Sequence, residues 1–287
     1  MYYGAIEAGG TKFVCAVSNE NFEIIKRVSI PTQTPEETFK AVFEFFDQYE
    51  LLAMGIGSFG PIDVNKNSAT YGYVTTTPKP GWGNYDFVGT IKARYKGIPI
   101  GFTTDVNAAA FGELEKGAAK GLESCVYLTV GTGIGGGAIV KGQLLEGFSH
   151  PEIGHILLTR DQGDQYEGFC PYHKDCLEGL AAGPAIENRW GKKAYELAPD
   201  HEAWQMQANY LAQALMNYVL VLSPERIILG GGVMKQTHLF PMVQDALKKL
   251  MNGYVVMPEL STFIVPPQLG DDAGITGCLM LAHKVRG

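Results

Sequence analysis

Two stretches of this chain carry side chains able to do chemistry at neutral pH. In Gly101-Phe-Thr-Thr-Asp-Val-Asn-Ala-Ala-Ala110, Asp105 stands where strand character gives way to helix character. A carboxylate at that junction can cap the helix, which is the simpler reading of the residue alone. It can also act as a general base, taking the proton of a hydroxyl that attacks a phosphoryl group. Asn107 could orient that carboxylate or hydrogen-bond a substrate, or be an ordinary first-turn residue. The second stretch is Cys170-Pro-Tyr-His-Lys-Asp-Cys176, with Cys170, His173 and Cys176 as metal-ligand types. His155, in His150-Pro-Glu-Ile-Gly-His155, could supply a fourth. A His₂Cys₂ set suits tetrahedral Zn²⁺, and four protein ligands make a structural site with no open position. The spacing is not a common zinc-finger spacing, and a loop with two free thiols and surface histidines is the alternative. Glu152 and Glu178 flank the cluster, and carboxylates accept sugar hydroxyl hydrogens well. Without a metal to aim them, both would be solvated surface glutamates.

Glycine-rich turns form a second class of candidate. Glu7-Ala-Gly-Gly-Thr-Lys12 and Val130-Gly-Thr-Gly-Ile-Gly135 share one logic. Glycine lets the backbone approach a phosphate without a Cβ clash, and successive N–H groups then point at the anion. Neither turn has the Walker lysine pattern, and strand character resumes after Gly136, where a Rossmann fingerprint needs a helix. Either alone could be an ordinary hairpin. Ile227-Ile-Leu-Gly-Gly-Gly-Val233 adds a third element, a strand running into three glycines, suited to a ledge for adenosine.

The elements that must position these residues are legible as alternating strands and helices. Gly4–Ser18 and Val126–Val140 each read as strand, Gly/Thr turn, strand, about 120 residues apart, so one motif occurs twice. Thr34 caps a helix with Pro35 at its first position and Glu37 completing a capping box. Phe39, Val42, Phe43 and Phe46 then share a face at helical spacing. Further helices are expected at Val106–Gly117, Ala208–Leu222, about Leu239–Met251, and from Asp271 or Asp272 to about Lys284. A strand is expected at Arg226–Leu229. The alternation indicates an α/β fold of two related domains meeting across a cleft. The first spans residues 1–119 plus about 270–287. The second, 120–269, is expected to be the larger and to carry the metal loop.

Composition narrows the function classes. The 287 residues are 46% hydrophobic and 18% charged, an ordinary globular balance. Net charge is −7 with no basic stripe, which argues against nucleic acid. It does not argue against ATP, whose phosphates are held by local amides and Mg²⁺. No run of about 18 apolar residues suggests a membrane span. The N-terminus lacks the pattern of a signal peptide, so a cytoplasmic enzyme is expected. Of five cysteines, Cys15, Cys125 and Cys278 sit in apolar surroundings and read as buried thiols.

Together these motifs resemble the ROK sugar kinases of the actin/hexokinase-like superfamily. The resemblance runs through essentially the whole chain. It rests on Glu7–Lys12, Thr104-Asp-Val-Asn-Ala108, Val130–Gly137, Glu152-Ile-Gly-His155, Cys170-x-x-His-x-x-Cys-x-Glu178 and Leu229-Gly-Gly-Gly-Val233. Ile6–Phe13 and the Cys-x-x-His-x-x-Cys run are similar to the bacterial fructokinases of that family. The resemblance implies two ribonuclease H-like (actin-like ATPase) domains, Asp105 as catalytic base, and Mg-ATP and a hexose as ligands. Gly9, Gly10, Thr11 and Lys12 would form one phosphate loop, and Gly131, Thr132 and Gly133 the other. Gly183, Pro184, Gly230, Gly231, Gly232 and Val233 would hold the nucleotide. Glu152, His155 and Glu178 would line the sugar site, with Asp105 and Asn107. The loop Thr77–Trp82, with Lys79 and Trp82, and the pair Gly60 and Pro61 would close over the sugar. Zn²⁺ would be bound by His155, Cys170, His173 and Cys176, and a homodimer is implied. Fructose is the expected substrate, ahead of mannose or glucose; a sensor without catalysis is the remaining alternative.

The chain departs from the family pattern at three places. Glu7 replaces the usual aspartate, and its part in ordering Mg²⁺ is open. Thr104 stands where many glucokinases carry asparagine, which lowers the expectation of glucose. His173 replaces one cysteine of the commoner zinc set, a swap that zinc permits. With the first strand starting at about Tyr3, the DNA-binding extension of the family's repressor branch is not expected.

Overall fold

In the computed structural model, which describes residues 1–287, the chain divides into two compact units. Unit 1 comprises Met1–Gly121, Leu144–Pro151 and Asp271–Gly287; unit 2 comprises Leu122–Gln143 and Glu152–Gly270. The segment Leu144–Pro151, expected in the second domain, packs in the first for a definable reason. Thr103 Oγ1 donates to Glu146 at 3.0 Å, and the Ile62 N–H donates to His150 Nε2 at 3.2 Å.

Unit 1 begins with β1 (Tyr2–Ala8), β2 (Lys12–Ser18), β3 (Ile24–Pro31), α1 (Pro35–Phe46) and β4 (Leu51–Ser58). A small hairpin follows, β5 (Tyr73–Val74) and β6 (Tyr85–Asp86), then α2 (Phe87–Arg94), β7 (Ile100–Thr104) and α3 (Asp105–Lys116). Its sheet has the order β3-β2-β1-β4-β7. The central strands are apolar almost throughout, as strands covered on both faces must be. The edge strand β3 carries Lys26 and Arg27 and is mostly exposed, which discourages edge pairing with other chains.

Helix α1 has the expected capping box at Thr34 and Glu37. Its buried face is Phe39, Val42, Phe45 and Phe46. Phe43, expected on that face, is half-buried beside Tyr95, while Phe45 turns in to meet Phe46 and Tyr49. The wider stripe follows from four aromatic residues within two helical turns.

Unit 2 contains β8 (Cys125–Val130), β9 (Ile134–Val140), all but the last residue of β10 (Gln143–Leu144), α4 (Leu177–Ala181), α5 (Gly183–Trp190) and α6 (Ala203–Leu222). It continues with β11 (Arg226–Gly230), α7 (Leu239–Met251), α8 (Leu260–Phe263) and β12 (Ile264–Val265). The sheet order is β10-β9-β8-β11-β12. In both units an antiparallel hairpin continues through parallel strands: β1/β2 then β4 and β7, and β8/β9 then β11 and β12. The repeated motif in the sequence therefore has a repeated topology, that of paired ribonuclease H-like domains. Helix α6 starts five residues before the expected Ala208; its N-cap, Glu202, makes no side-chain capping bond, and His201 Nδ1 accepts the Ala203 N–H at 3.1 Å. No helix is long and apolar enough to cross a membrane.

The last helix, α9 (Ala273–Arg286), returns to unit 1 after a short 3₁₀ turn at Gly270–Asp272. It packs on α3 and β4 at backbone contact. A Cβ on Gly277 would lie 1.7 Å from the Ala108 carbonyl oxygen, and one on Gly55 would lie 1.9 Å from that of Cys278. Only glycine permits these approaches, and they fix the start of α3, where Asp105 sits.

Near the end of α9, His283 is stacked between Tyr3 at 3.5 Å and Phe22 at 4.0 Å, and its Nε2 has no partner. Burial, and then the charge of Lys116, hold its pKa below the ordinary value. A histidine with a depressed folded pKa contributes stability above about pH 6.5, its unfolded value, and loses it as pH falls toward the folded pKa. The melting temperature should therefore drop between pH 7.5 and 5.5. His283→Phe keeps the stack and removes the proton site. It should reduce that drop by about 1–2 °C, allowing for the ring's partial exposure. Equal slopes for the two proteins would rule this out. Glu7 and Glu146, both raised mainly by desolvation, act in the opposite sense just above pH 4.5, and the comparison cancels them.

Candidate active site

Asp105 is the first residue of α3, immediately after β7. The N-cap is not Asp105 but Thr104, whose extended backbone (φ −73°, ψ 157°) and Oγ1, accepting the Asn107 N–H at 3.1 Å, define the cap. Asp105 accepts the N–H of Val106 at 2.9 Å and is partly exposed in the first turn, where helix amides favour a carboxylate. Asn107 makes no hydrogen bond to Asp105. It is 1% exposed, and its Nδ2 donates to Thr103 Oγ1 at 3.0 Å, the same hydroxyl that donates to Glu146. The Asn107 Oδ1 has no hydrogen-bond partner within the protein. The sequence carries no local signal for Glu146 or His150 as part of this network.

The first glycine turn is closed by the Gly9 N–H, which donates to the Lys12 carbonyl at 3.0 Å. Its other carbonyls are also engaged. Thr32 Oγ1 donates to Gly9 O at 2.8 Å, the Thr32 N–H donates to Thr11 O at 2.9 Å, and Lys79 Nζ donates to Gly10 O. The N–H groups of Gly10 and Thr11 have no acceptor within the protein, and both residues are exposed. Such a turn presents amides outward, as an anion-binding nest does. Glu7 lies behind it, against Gly274 of α9, and burial raises its carboxyl despite Arg27 and Lys12.

Of the residues expected over the sugar, Trp82 is enclosed in the core and Lys79 meets the first glycine turn. Trp82 is fully buried. Its Nε1 donates to Gln33 O at 2.8 Å, and its ring packs among Phe13, Phe39, Phe59 and Phe87. An indole so enclosed is a core anchor and offers no face to a ligand. Lys79 lies on the first glycine turn, as described above. Gly60 and Pro61 are joined by a cis peptide; His150 lies near Gly60, and Pro61 O accepts from Thr75.

In unit 2 the glycine elements converge. The Gly183 N–H, at the start of α5 beside Pro184, donates to Gly131 O at 2.8 Å. Gly231, at φ +90°, fits against the backbone of Val130, where a Cβ would be 2.4 Å from an oxygen. The Gly131 N–H closes the turn on Gly133 O at 2.9 Å, and Thr132 is exposed. Glu178 Oε2 accepts the Ile134 N–H at 3.0 Å, so this carboxylate is tied to the second glycine turn. Gly232 and Val233 lead into a 3₁₀ turn at Val233–Lys235. Glu152 is exposed at the head of the 3₁₀ turn Ile153–His155.

The four metal-ligand candidates stand together. Donor atoms of His155, Cys170, His173 and Cys176 all lie within 4.8 Å of one another. His155 Nδ1 is 3.7 Å from Cys170 Sγ and 3.6 Å from Cys176 Sγ. Tetrahedral Zn²⁺ with ordinary bond lengths requires S···N separations of about 3.5 Å. Cys176 Sγ also accepts the Gly179 N–H at 3.3 Å, a bond that favours a thiolate. The donor set and spacing fit zinc.

Comparison with known proteins agrees with this architecture. A Bacillus subtilis (strain 168) protein is 56% identical over 98% of this chain and 95% of its own length. A fructokinase of Pediococcus pentosaceus is 49% identical over 99% of this chain and 98% of its own. The crystal structure of the ROK hexokinase from Thermus thermophilus superposes with a TM-score of 0.83 at 28% identity, covering 99% of this chain and 98% of that one. The ROK family model itself matches residues 3–285, so the chain belongs to the ROK family.

Proposed function

We propose that this protein is an ATP-dependent sugar kinase that converts fructose to fructose 6-phosphate. Nearly full-length relatives named fructokinase support the reading. The observation that carries it is the first glycine turn, with its carbonyls tied inward and the Gly10 and Thr11 amides left over.

In unit 1, Asp105 takes the proton of the sugar hydroxyl as its oxygen bonds to the γ-phosphorus and the bond to ADP breaks. The Gly10 and Thr11 amides receive phosphate oxygens. In unit 2, Thr132 and Gly133 offer further donors, Gly183 and Gly230–Val233 support the nucleoside, and Glu152 and Glu178 accept sugar hydroxyls. Mg²⁺ would come with the nucleotide and neutralise charge on its phosphates. Zn²⁺ would be held by His155, Cys170, His173 and Cys176 as a fixed crosslink. A homodimer belongs to the same reading. ADP release from Mg-ATP, measured with fructose, mannose, glucose and N-acetylglucosamine, tests the proposal. Preference for fructose is expected; release with none of the four would overturn it.

The glycines give a sharper test. Gly10, Gly131 and Gly232 have no protein atom closer than 4.0 Å to a built Cβ, and none has positive φ. The fold does not need glycine there. Alanine at each should leave the melting temperature unchanged or slightly raised, because it restricts the unfolded chain. If ligand backs onto these glycines, KM for Mg-ATP should rise roughly tenfold, the scale of one lost hydrogen bond to a charged group. Unchanged ATP kinetics in all three variants would remove these loops from the nucleotide site.

A further inference from the structure

The first glycine turn has no intrinsic reason to keep its amides outward. Gly10 is exposed, meets no neighbouring side chain, and as glycine can rotate with little steric cost. In a trans peptide the C=O and the following N–H point in opposite directions. Whatever grips a carbonyl therefore aims the next amide.

Two side chains do this. Thr32 Oγ1 holds Gly9 O at 2.8 Å, so the Gly10 N–H faces away from Thr32. Lys79 Nζ holds Gly10 O, so the Thr11 N–H faces away from Lys79. Lys79 is itself well placed. Prolines 78 and 80 flank it, Thr77 Oγ1 accepts its N–H at 3.3 Å, and its carbonyl accepts the N–H of the buried Trp82 at 3.2 Å. No carboxylate pairs with its ammonium. The Trp82 anchor thus delivers a cation to one peptide of the turn.

We propose that Lys79, together with Thr32, is a positioning residue that locks both peptides of this turn with their N–H groups toward the phosphates of ATP. This rests on reading Gly9–Lys12 as a phosphate loop. It departs from a sugar-contacting role for Lys79, because a donor committed to Gly10 O sets nucleotide affinity and leaves sugar affinity alone.

Calorimetric titration of ATP, adenosine and fructose into Lys79→Met, Lys79→Arg, Thr32→Val and Gly10→Ala tests the idea without requiring turnover. Lys79→Met should weaken ATP roughly ten- to a hundredfold, the value of a charge-assisted hydrogen bond. Adenosine, which lacks phosphates, and fructose should bind within about twofold of the parent. Lys79→Arg should recover most of the loss, since its fork still donates. Thr32→Val, which alters the neighbouring peptide, should act in the same direction. Weakened fructose with unchanged ATP would overturn the proposal, as would adenosine weakened as much as ATP, or no change at all. Gly10→Ala separates the two levels. If it spares ATP binding, the phosphate loop is misassigned and Lys79 falls with it. If it weakens ATP while Lys79→Met does not, only the positioning role fails.

Discussion

Replacing Asp105 by asparagine should reduce turnover with fructose at least about a hundredfold, within the range expected for loss of a positioned general base. The helix start should survive this substitution. Thr104 carries the N-cap, so the helix start does not depend on the Asp105 carboxylate. The Val106 N–H that Asp105 accepts can be accepted equally by an asparagine oxygen. Packing of α3 against α9 is set by Gly277 and Ala108, which the change does not touch. Melting temperature and fructose affinity should therefore stay near those of the parent while kcat falls. Near-normal turnover would remove Asp105 as the base. A fall in fructose affinity equal to the fall in kcat would instead make it a binding residue.

What could be read from the sequence was whatever declares itself within a few residues. The capping box at Thr34, the glycine turns, the strand-to-helix junction at Asp105 and the Cys-x-x-His-x-x-Cys run all have local signatures, and each is found on the element expected for it. Even here resolution ends at one residue. Thr104 and Asp105 are both competent caps, and only the extended backbone of Thr104 decides between them. The site's supporting contacts were illegible because they join distant segments. Lys79 reaches Gly10 across 69 residues, Ile62 meets His150 across 88, and Thr103 meets Glu146 across 43. Trp82 shows the same limit in another form. Its neighbours Pro80 and Gly81 read as an exposed loop, yet the ring is claimed by phenylalanines on four other elements or loops. Burial is a property of the assembled core, and no spacing rule within Thr77–Trp82 reports it.

The second large effect concerns the metal. Purified protein should contain about one zinc per chain, as a closed four-ligand site requires. Cys176→Ala should abolish that content and weaken fructose binding roughly tenfold or more, a loss on the scale seen when the support of a site is removed. The reason is geometric. Cys176 caps α4, and Glu178 lies in that helix's first turn, tied to the Ile134 N–H. His155 ends the 3₁₀ turn that Glu152 begins. One ion would thus fix both segments that carry the candidate sugar-binding carboxylates. The damage should be local. Arg160 grips the carbonyls of Tyr166 and Glu167 and the carboxylate of Asp175, and Gln213 holds both backbone groups of Thr159. Asp164 is bonded to Arg189 and Tyr210 in a nearly dry ion pair. These contacts need no metal, so hydrogen exchange should accelerate around Phe169–Leu177 and remain slow at Thr159 and Asp164. In the metal-free chain burial pushes the Cys176 thiol up to about 11, so loading must displace protons and should weaken as pH falls. Tyr172→Ser is the control, since Tyr172 lies inside the loop, is exposed and supplies no ligand; it should retain zinc and fructose affinity. A metal-free preparation with full activity and normal fructose binding would show that the four side chains gather without holding an ion that matters to the sugar.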